Sequence, residues 1–280
     1  MDRAFEVDGK TAIVATMHGK QRVIEPVLAR LGLRFLPSPT IDTDRFGTFT
    51  REITRNGSQR EAVLAKAQAG LDLCPASDFA IASEGAFGPN PQMPLLPAGL
   101  EMVVLLERAS GRTIVGSHLS TATTFAQCEA ATLADVYAFA EKMGFPSHAI
   151  VLMAGRDGPV LAKGVTSWIA LEDACRAQAI SGRAIWVEAD MRAHLNPTRM
   201  DAVAQAAFDL VRRLQARCPA CTYPDWTPRL VTGRPCAWCN GPTIEAWIEE
   251  YVCKACGNRV ENAINPERKG DPGHCGFCNP

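Results

Sequence analysis

DFAIASEGAFGPNP, residues 78–91, starts as an apolar run, meets one carboxylate at Glu84, and then breaks into glycine, proline and asparagine. An unbroken apolar run of this length reads as a strand covered on both faces, and Gly85, Gly88, Pro89 and Pro91 read as a loop that it enters. Polar groups that act on ligands in α/β proteins gather at such strand ends. Glu84 is therefore a candidate site residue, against the plainer alternative of a solvated loop carboxylate.

Working outward, the same pattern recurs. TAIVAT (11–16), MVVLLE (102–107), TIVGS (113–117), AIVLM (149–153) and AIWVEA (184–189) are further strand candidates. Between them the period changes to that of a helix: Val23, Ile24, Val27, Leu28 and Leu31 share one face, and residues 121–143 and 198–216 read as longer helices, the latter opening on Thr198-x-x-Asp201, a cap signature. Alternation of this kind predicts an α/β domain with a mixed central sheet flanked by helices over residues 1–212, followed by a separate module over 213–280.

The totals narrow the class. A chain of 280 residues with a 47% apolar share is long enough for a sizeable core, and 29 Lys and Arg against 30 Asp and Glu leave no field that recruits polyanions. The start, MDRAFEVDGKTAIVAT, lacks the apolar core of a signal peptide, and no segment reaches the roughly 18 apolar residues of a membrane span. The expectation is a cytoplasmic protein that does not engage membranes.

Eleven cysteines are unevenly spread: Cys74, Cys128 and Cys175 are isolated and read as buried apolar residues, whereas the last 63 residues hold four CxxC pairs, Cys218/Cys221, Cys236/Cys239, Cys253/Cys256 and Cys275/Cys278. A CxxC turn puts two thiolates on one knuckle, and two knuckles complete the four-sulfur shell of Zn²⁺, so eight ligands predict two structural zinc ions. A disulfide framework needs an oxidising compartment, and a redox dithiol normally occurs once. The tail resembles a double zinc ribbon. CPAC…GRPCAWC and CKAC…DPGHCGFC read as two copies of one unit, which favours each unit holding its own zinc; pairing the two middle knuckles across TIEAWIEEYV (243–252) is the alternative. His274 is expected beside the shell rather than in it. Seven basic and seven acidic residues from Arg217 onward do not favour nucleic acid, and Trp226, Trp238, Trp247, Tyr251 and Phe277 read as the small core of the module.

Two more polar clusters stand at predicted element ends. Thr16-Met17-His18-Gly19-Lys20 follows the first strand and opens a helix, where free N–H groups and a lysine could hold phosphate. DTDRFGTFTREITRNGSQREAVLAKA (42–67) carries Arg45, Arg51, Arg55, Arg60 and Lys66, and within it Ser58-x-x-Glu61 is also a capping box.

VATMHGK (14–20), FGTFTREITRNGSQREAVLAKA (46–67) and PASDFAIASEGAF (75–87) together resemble the inosine/xanthosine triphosphate pyrophosphatases over about the first 120 residues. The resemblance implies Mg²⁺ held by Glu61 and Glu84, phosphate contacts from Lys20 and Lys66, stabilisation of developing charge by Arg51 and Arg55, and a base reader in EADMRAHLNPTRM (188–200), where Arg192 and His194 are the candidates beside Asp190 and Arg199. His18 stands near the position of the family's asparagine, Ser83 stands where a second strand-end carboxylate is usual, and Gly85 would let a base or phosphate approach the backbone. The whole chain, through HGK, FGTFTREI, IASEGAFGP and the cysteine tail, also resembles a bacterial family described only as a domain of unknown function. The function expected is that of a metal-dependent nucleoside triphosphate pyrophosphohydrolase acting on a small-molecule nucleotide, its zinc tail serving as lid, homodimer contact or protein dock. The competing expectation is a non-catalytic nucleotide- or nucleic-acid-binding adaptor whose ribbons attach it to a partner.

Overall fold

The computed structural model describes residues 5–39, 41–42, 57–179 and 184–280. The chain divides into two compact units, Val7–Val211 and, separately, Arg212–Pro280 together with the segment ending at Glu6. Among the described residues no helix is long and apolar enough to cross a membrane.

The first unit is mixed α/β. Strands β1 (Thr11–Ala15), β2 (Arg34–Phe35), β3 (Phe79–Pro89), β4 (Pro97–Glu107) and β5 (Thr113–Ser120) form one sheet in the order β2-β1-β3-β4-β5. β1 runs parallel to both β2 and β3, and the long β3–β4–β5 part is antiparallel. A second sheet, β6-β9-β7-β8, uses β6 (Gln127–Ala130), β7 (Ile150–Met153), β8 (Val160–Val165) and β9 (Ile185–Ala189), with every pair antiparallel. The helices are α1 (Gln21–Leu28), α2 (Gln59–Leu73), α3 (Leu133–Met143), α4 (Trp168–Ala179) and α5 (Pro197–Gln215).

Period-two patterning assigns each face of the first sheet. Ile13 and Ala15 of β1, Ala80 and Ala82 of β3, and Val104 and Leu106 of β4 pack with Val63 and Ala67 of α2, so Glu84, next in that alternation, falls on the α2 face. Ser83 and Gly85 point the other way. On that side α5 lies so close to β5 that a Cβ on Gly116 would sit 2.3 Å from both the Ala206 carbonyl oxygen and the Leu210 nitrogen.

Three sequence expectations give way. Glu84 does not end a strand, because β3 continues in register with β4 from Phe79↔Glu107 to Pro89↔Pro97; what ends there is β1, whose pairing with β3 stops at Ala15↔Ala82. Residues 121–143 are not one helix. Gln127–Ala130 pairs with β9, and α3 starts only after Thr132, whose hydroxyl accepts from Asp135 N at 3.2 Å while Asp135 Oδ2 accepts from Thr132 N at 2.9 Å. α5 is capped by Asn196 Oδ1, 3.0 Å from Arg199 N, and Thr198 instead bonds His148 Nε2 at 2.9 Å.

The second unit is built on β10 (Arg229–Thr232), β11 (Ala246–Val252) and β12 (Arg259–Ala263), an antiparallel sheet with β11 in the middle. Its centre is a cation. Arg234 is fully buried and donates from Nη1 to Asn265 O and Arg268 O, both at 3.0 Å, and from Nη2 to Ala246 O at 2.9 Å and Ile264 O at 2.8 Å, with Trp247 beneath it. One guanidinium thus satisfies four carbonyls that a module of this size cannot pair through its short sheet.

Gly116→Ala forces α5 off β5, since the atoms it meets are backbone and cannot rotate away. The expected outcome is a loss of about 3 kcal/mol in the unfolding free energy of the full chain, read by chemical denaturation; an unchanged midpoint would contradict the close packing.

Candidate functional site

The chain leaves β1 through α1 for β2 on one side, while β3 lies on the other side of β1. Loops diverge at such a point and leave a crevice beyond the carboxyl ends of the strands, the usual ligand site of open α/β sheets. Lys20, the residue preceding α1, sits at this place with Ser83 and Glu84 of β3.

Five charged side chains are withdrawn from water here: Lys20, Lys66, Glu84, Glu101 and Arg199 are 6, 7, 2, 0 and 3% exposed. On the α2 face Lys66 Nζ donates to Glu84 Oε2 at 2.5 Å. Across the sheet Arg199 of α5 donates from Nε to Glu101 Oε1 of β4 at 2.7 Å, also donates to Met191 O, and lies over the Phe87 ring. Gly85 separates the two pairs. A Cβ there would meet Glu101 Oε1 at 2.4 Å and Arg199 Nη2 at 2.7 Å, so a side chain would displace the second pair. Gln59 Nε2 holds the site's backbone from α2, donating to Glu84 O at 2.7 Å and Leu100 O at 2.8 Å.

Lys20 belongs to neither pair; its Nζ has a long bond of 3.4 Å to Ser83 O. Burial pushes its ammonium down to about 7; Arg199 and Lys66 add to the fall, while Glu101 and Glu84 oppose it. Among the described residues the cluster therefore holds three cations against two carboxylates when Lys20 is charged, an excess that suits an anion.

Of the residues singled out in the sequence, the structure brings together Lys20, Lys66, Glu84 and Gly85, but not Glu61. Gln59 points at β3, and Glu61, about 200° further round the helix, is exposed and closes the capping box, its Oε2 accepting from Ser58 N at 2.7 Å and Ser58 Oγ at 2.8 Å. Those bonds, the backbone one first, hold its carboxyl below the usual range. His18 and His194 stack on each other, ring centroids 4.7 Å apart at 13°. Arg192 pairs with buried Asp190 at 2.6 Å, and Asp190 also accepts from Gly164 N at 3.1 Å. Arg51 and Arg55 lie outside the described residues. Sequence reasoning missed Glu101 and Gln59; the signal for Glu101 was a charge heading an apolar strand.

The thiols form two separate shells, each with its ligand sulfurs within 4.8 Å of one another: Cys218, Cys221, Cys253 and Cys256; and Cys236, Cys239, Cys275 and Cys278. Sulfur separations of 3.8 Å (Cys218–Cys256), 3.5 Å (Cys221–Cys253), 3.9 Å (Cys236–Cys278) and 3.6 Å (Cys239–Cys275) exclude disulfides. They match the roughly 3.8 Å edge of a tetrahedron with metal–sulfur bonds of about 2.3 Å. Backbone N–H groups spread the charge, Trp238 N lying 3.4 Å from Cys236 Sγ and Gly241 N 3.3 Å from Cys239 Sγ. In the second shell the Phe277 N–H first, then the Cys278 N–H, brings Cys275 down to about 7, while bonding to Cys239 and desolvation push Cys278 up to about 12. Four thiols so close ionise together only around a multivalent cation, which fits two zinc ions. His274 bonds Glu245 at 3.2 Å rather than entering a shell.

The pairing corrects both sequence expectations. Each strand of the β10–β11–β12 meander carries the chain from one end of the sheet to the other: Arg229 pairs with Glu250 and Val252 with Arg259 at one end, Thr232 with Ala246 and Ala263 with Ile248 at the other. Knuckles separated by one strand land at opposite ends, so the first meets the third and the second meets the fourth.

An α/β unit carrying buried ion pairs at a sheet switch point, with a two-shell cysteine module, defines the class. The profile of a family described as a domain of unknown function (DUF6671) matches residues 66–280, and the chain belongs to that family. Comparison with curated proteins gives no match. Among solved structures, the crystal structure of protein VC0702 from Vibrio cholerae is similar over 72% of this chain and 93% of that one, with 10% identity and a TM-score of 0.32.

Two measurements check these assignments. The double variant Cys218→Ser/Cys253→Ser should retain one zinc per chain by elemental analysis, because both ligands belong to one shell; loss of both ions would overturn this pairing. For Lys20→Met the sign follows from the depressed pKa: the cost of burying the ammonium is fully present below pH about 7, and shrinks as pH rises toward the ordinary value of 10.5. The variant should gain a few kcal/mol in unfolding free energy at pH 6, and that gain should fade by pH 10.

Proposed function

We propose that the α/β unit binds the phosphate chain of a nucleotide at the Lys20–Lys66–Glu84 cluster and hydrolyses a nucleoside triphosphate to the monophosphate and pyrophosphate. The observation that carries this reading is the excess of buried positive charge among the described residues, Lys20, Lys66 and Arg199 against Glu84 and Glu101, gathered where β1 ends beside β3. The likeness of VATMHGK, the α2 segment and IASEG to the inosine/xanthosine triphosphate pyrophosphatases supports it, and so does the stacked His18–His194 pair, a flat face two residues from Lys20 that suits a base.

Each residue has a role in this reading. Glu84 holds Lys66 extended in the crevice, and an arriving phosphate competes for the same ammonium. Lys20, largely neutral above pH 7, takes up a proton as the anion binds and then neutralises charge on the leaving pyrophosphate. The described carboxylates do not fit a magnesium site, because Glu61 is spent on the helix cap and Glu84 and Glu101 each face a cation.

That same engagement of both buried carboxylates favours a second reading, nucleotide binding without turnover, with the ribbons docking a protein. At the second shell the residues before Cys239 and Cys278 are aromatic and open, Trp238 77% and Phe277 76% exposed, whereas Ala220 and Ala255 stand at the matching places of the first shell.

The test uses the zinc-loaded full chain and a panel of purine and pyrimidine triphosphates, with binding followed by calorimetry and pyrophosphate release followed with and without Mg²⁺. The expected result is turnover, with affinity falling as pH rises through about 7 as the Lys20 proton is lost, and a drop of at least tenfold in affinity for Lys20→Met despite its greater stability. Affinity without pyrophosphate release would select the second reading. No binding anywhere in the panel would overturn both.

A further inference from the structure

On the α5 face of the sheet the buried atoms Ser83 Oγ and Glu101 Oε2 have no hydrogen-bond partner among the described residues, and the buried donor Arg199 Nη2 stands on the same face beside Gly85. Buried groups of this kind are rarely left so without a reason, a carboxylate oxygen least of all. Ser83 pairs across the ladder with Val103, and Gly85 pairs with Glu101, so the two orphans stand on one face of neighbouring strands, diagonally across the bare Gly85. Glu101 is held by its other oxygen, since Arg199 Nε donates to Oε1 at 2.7 Å and fixes the carboxylate plane. Lys20 Nζ reaches the Ser83 carbonyl at 3.4 Å, and both Glu101 and Arg199 act on its charge.

A carboxylate oxygen accepts and a hydroxyl both donates and accepts. A small molecule placed between them must donate to the first and share a bond with the second. Water does both. We propose that Glu101 Oε2 and Ser83 Oγ hold the water that attacks phosphorus, the phosphate reaching it past bare Gly85 along the stretch of β3 that β1 leaves unpaired after Ala82. The inference rests on the hydrolase reading given above. The water oxygen bonds to the α-phosphorus and its proton passes to Glu101 Oε2. The bond from that phosphorus to the bridging oxygen breaks, and pyrophosphate leaves with the electron pair, its charge met by Lys20 and Lys66. Glu101 then passes the proton to the departing pyrophosphate, which carries it out of the site. Arg199 keeps Glu101 in place through Nε, and its Nη2, beside Gly85, adds positive charge on the face of the proposed water.

The test takes whichever triphosphate turns over fastest on the zinc-loaded full chain. Glu101→Gln keeps the side chain's shape but cannot take the proton, and should lower kcat by a hundredfold or more while KM stays within about threefold; Ser83→Ala should lower kcat by about tenfold with KM likewise unmoved. A high-resolution crystal structure should show one ordered water within hydrogen-bond distance of both atoms. Unchanged kcat in either variant, or a rise in KM alone, overturns the inference. So does a water lodged only on the Phe87 side, in the cavity of about 10 Å³ that Glu101 lines with Ser120, Thr123, Thr198 and Arg199. If Glu101→Gln does not fold, because it leaves Arg199 buried without its counter-charge, Ser83→Ala and the water position decide. Failure of every triphosphate to turn over sinks the hydrolase reading and this inference together, whereas turnover that survives both substitutions removes only this inference.

Discussion

Ammonium and guanidinium groups are kept out of water at the end of β1, and each has to be answered by something nearby. Lys66 is answered from β3 and Arg199 from β4, on opposite faces of the same sheet, which is why two helices far apart in sequence, α2 and α5, are both fixed relative to one strand position. Gly85 follows from that demand, because the Glu101–Arg199 pair occupies the space where a side chain would be. So does the length of the β3–β4 ladder: cut short after Ala82, it could not bring Glu101 opposite Gly85. Lys20 is the residue left over. Its depressed pKa is the measure of what burying an ammonium with only a long bond to a backbone carbonyl costs the fold.

Much of the framework could be read from the chain because it obeys simple periods. The unbroken apolar runs became β1, β7 and β9, and the mixed α/β class followed from their alternation with helical stretches. What escaped was structure set by distant pairing. Gln127–Ala130 has no strand pattern of its own and is a strand because β9 lies beside it, and Arg34–Phe35 is one because β1 does. The candidate site divides in the same way. Lys20, Lys66, Glu84 and Gly85 were marked by position at element ends and by resemblance. Glu101 could be placed only through the register of β3 on β4, and Glu61 could be dismissed only by seeing which way Gln59 points.

The two units solve unlike problems with a related device. In the α/β unit the buried Lys66 and Arg199 face carboxylates. In the cysteine unit buried Arg234 faces four backbone carbonyls, and the nearest carboxylate, Glu245, stands off at 3.8 Å while it also receives Arg268 and Asp271 N. The first arrangement ties two helices to neighbouring strands through ion pairs; the second uses a cation as a core residue in a module with few apolar side chains to bury.

The crossed order of the cysteine shells bears on how the tail comes into being. The sequence looks like a tandem duplication with separable halves, yet the first shell stays open until Cys256 has been made, and by then Cys236 and Cys239 already lie inside the loop that it closes. The second shell in turn waits for Cys278. Each metal therefore closes a long loop that contains half of the other's ligands, so neither half of the tail can mature as a free-standing piece, and a chain stopped between Cys256 and Cys275 would keep one complete shell beside a stranded knuckle. What reads along the chain as repetition is, in assembly, a single interlocked unit that is finished only when its last turn is in place.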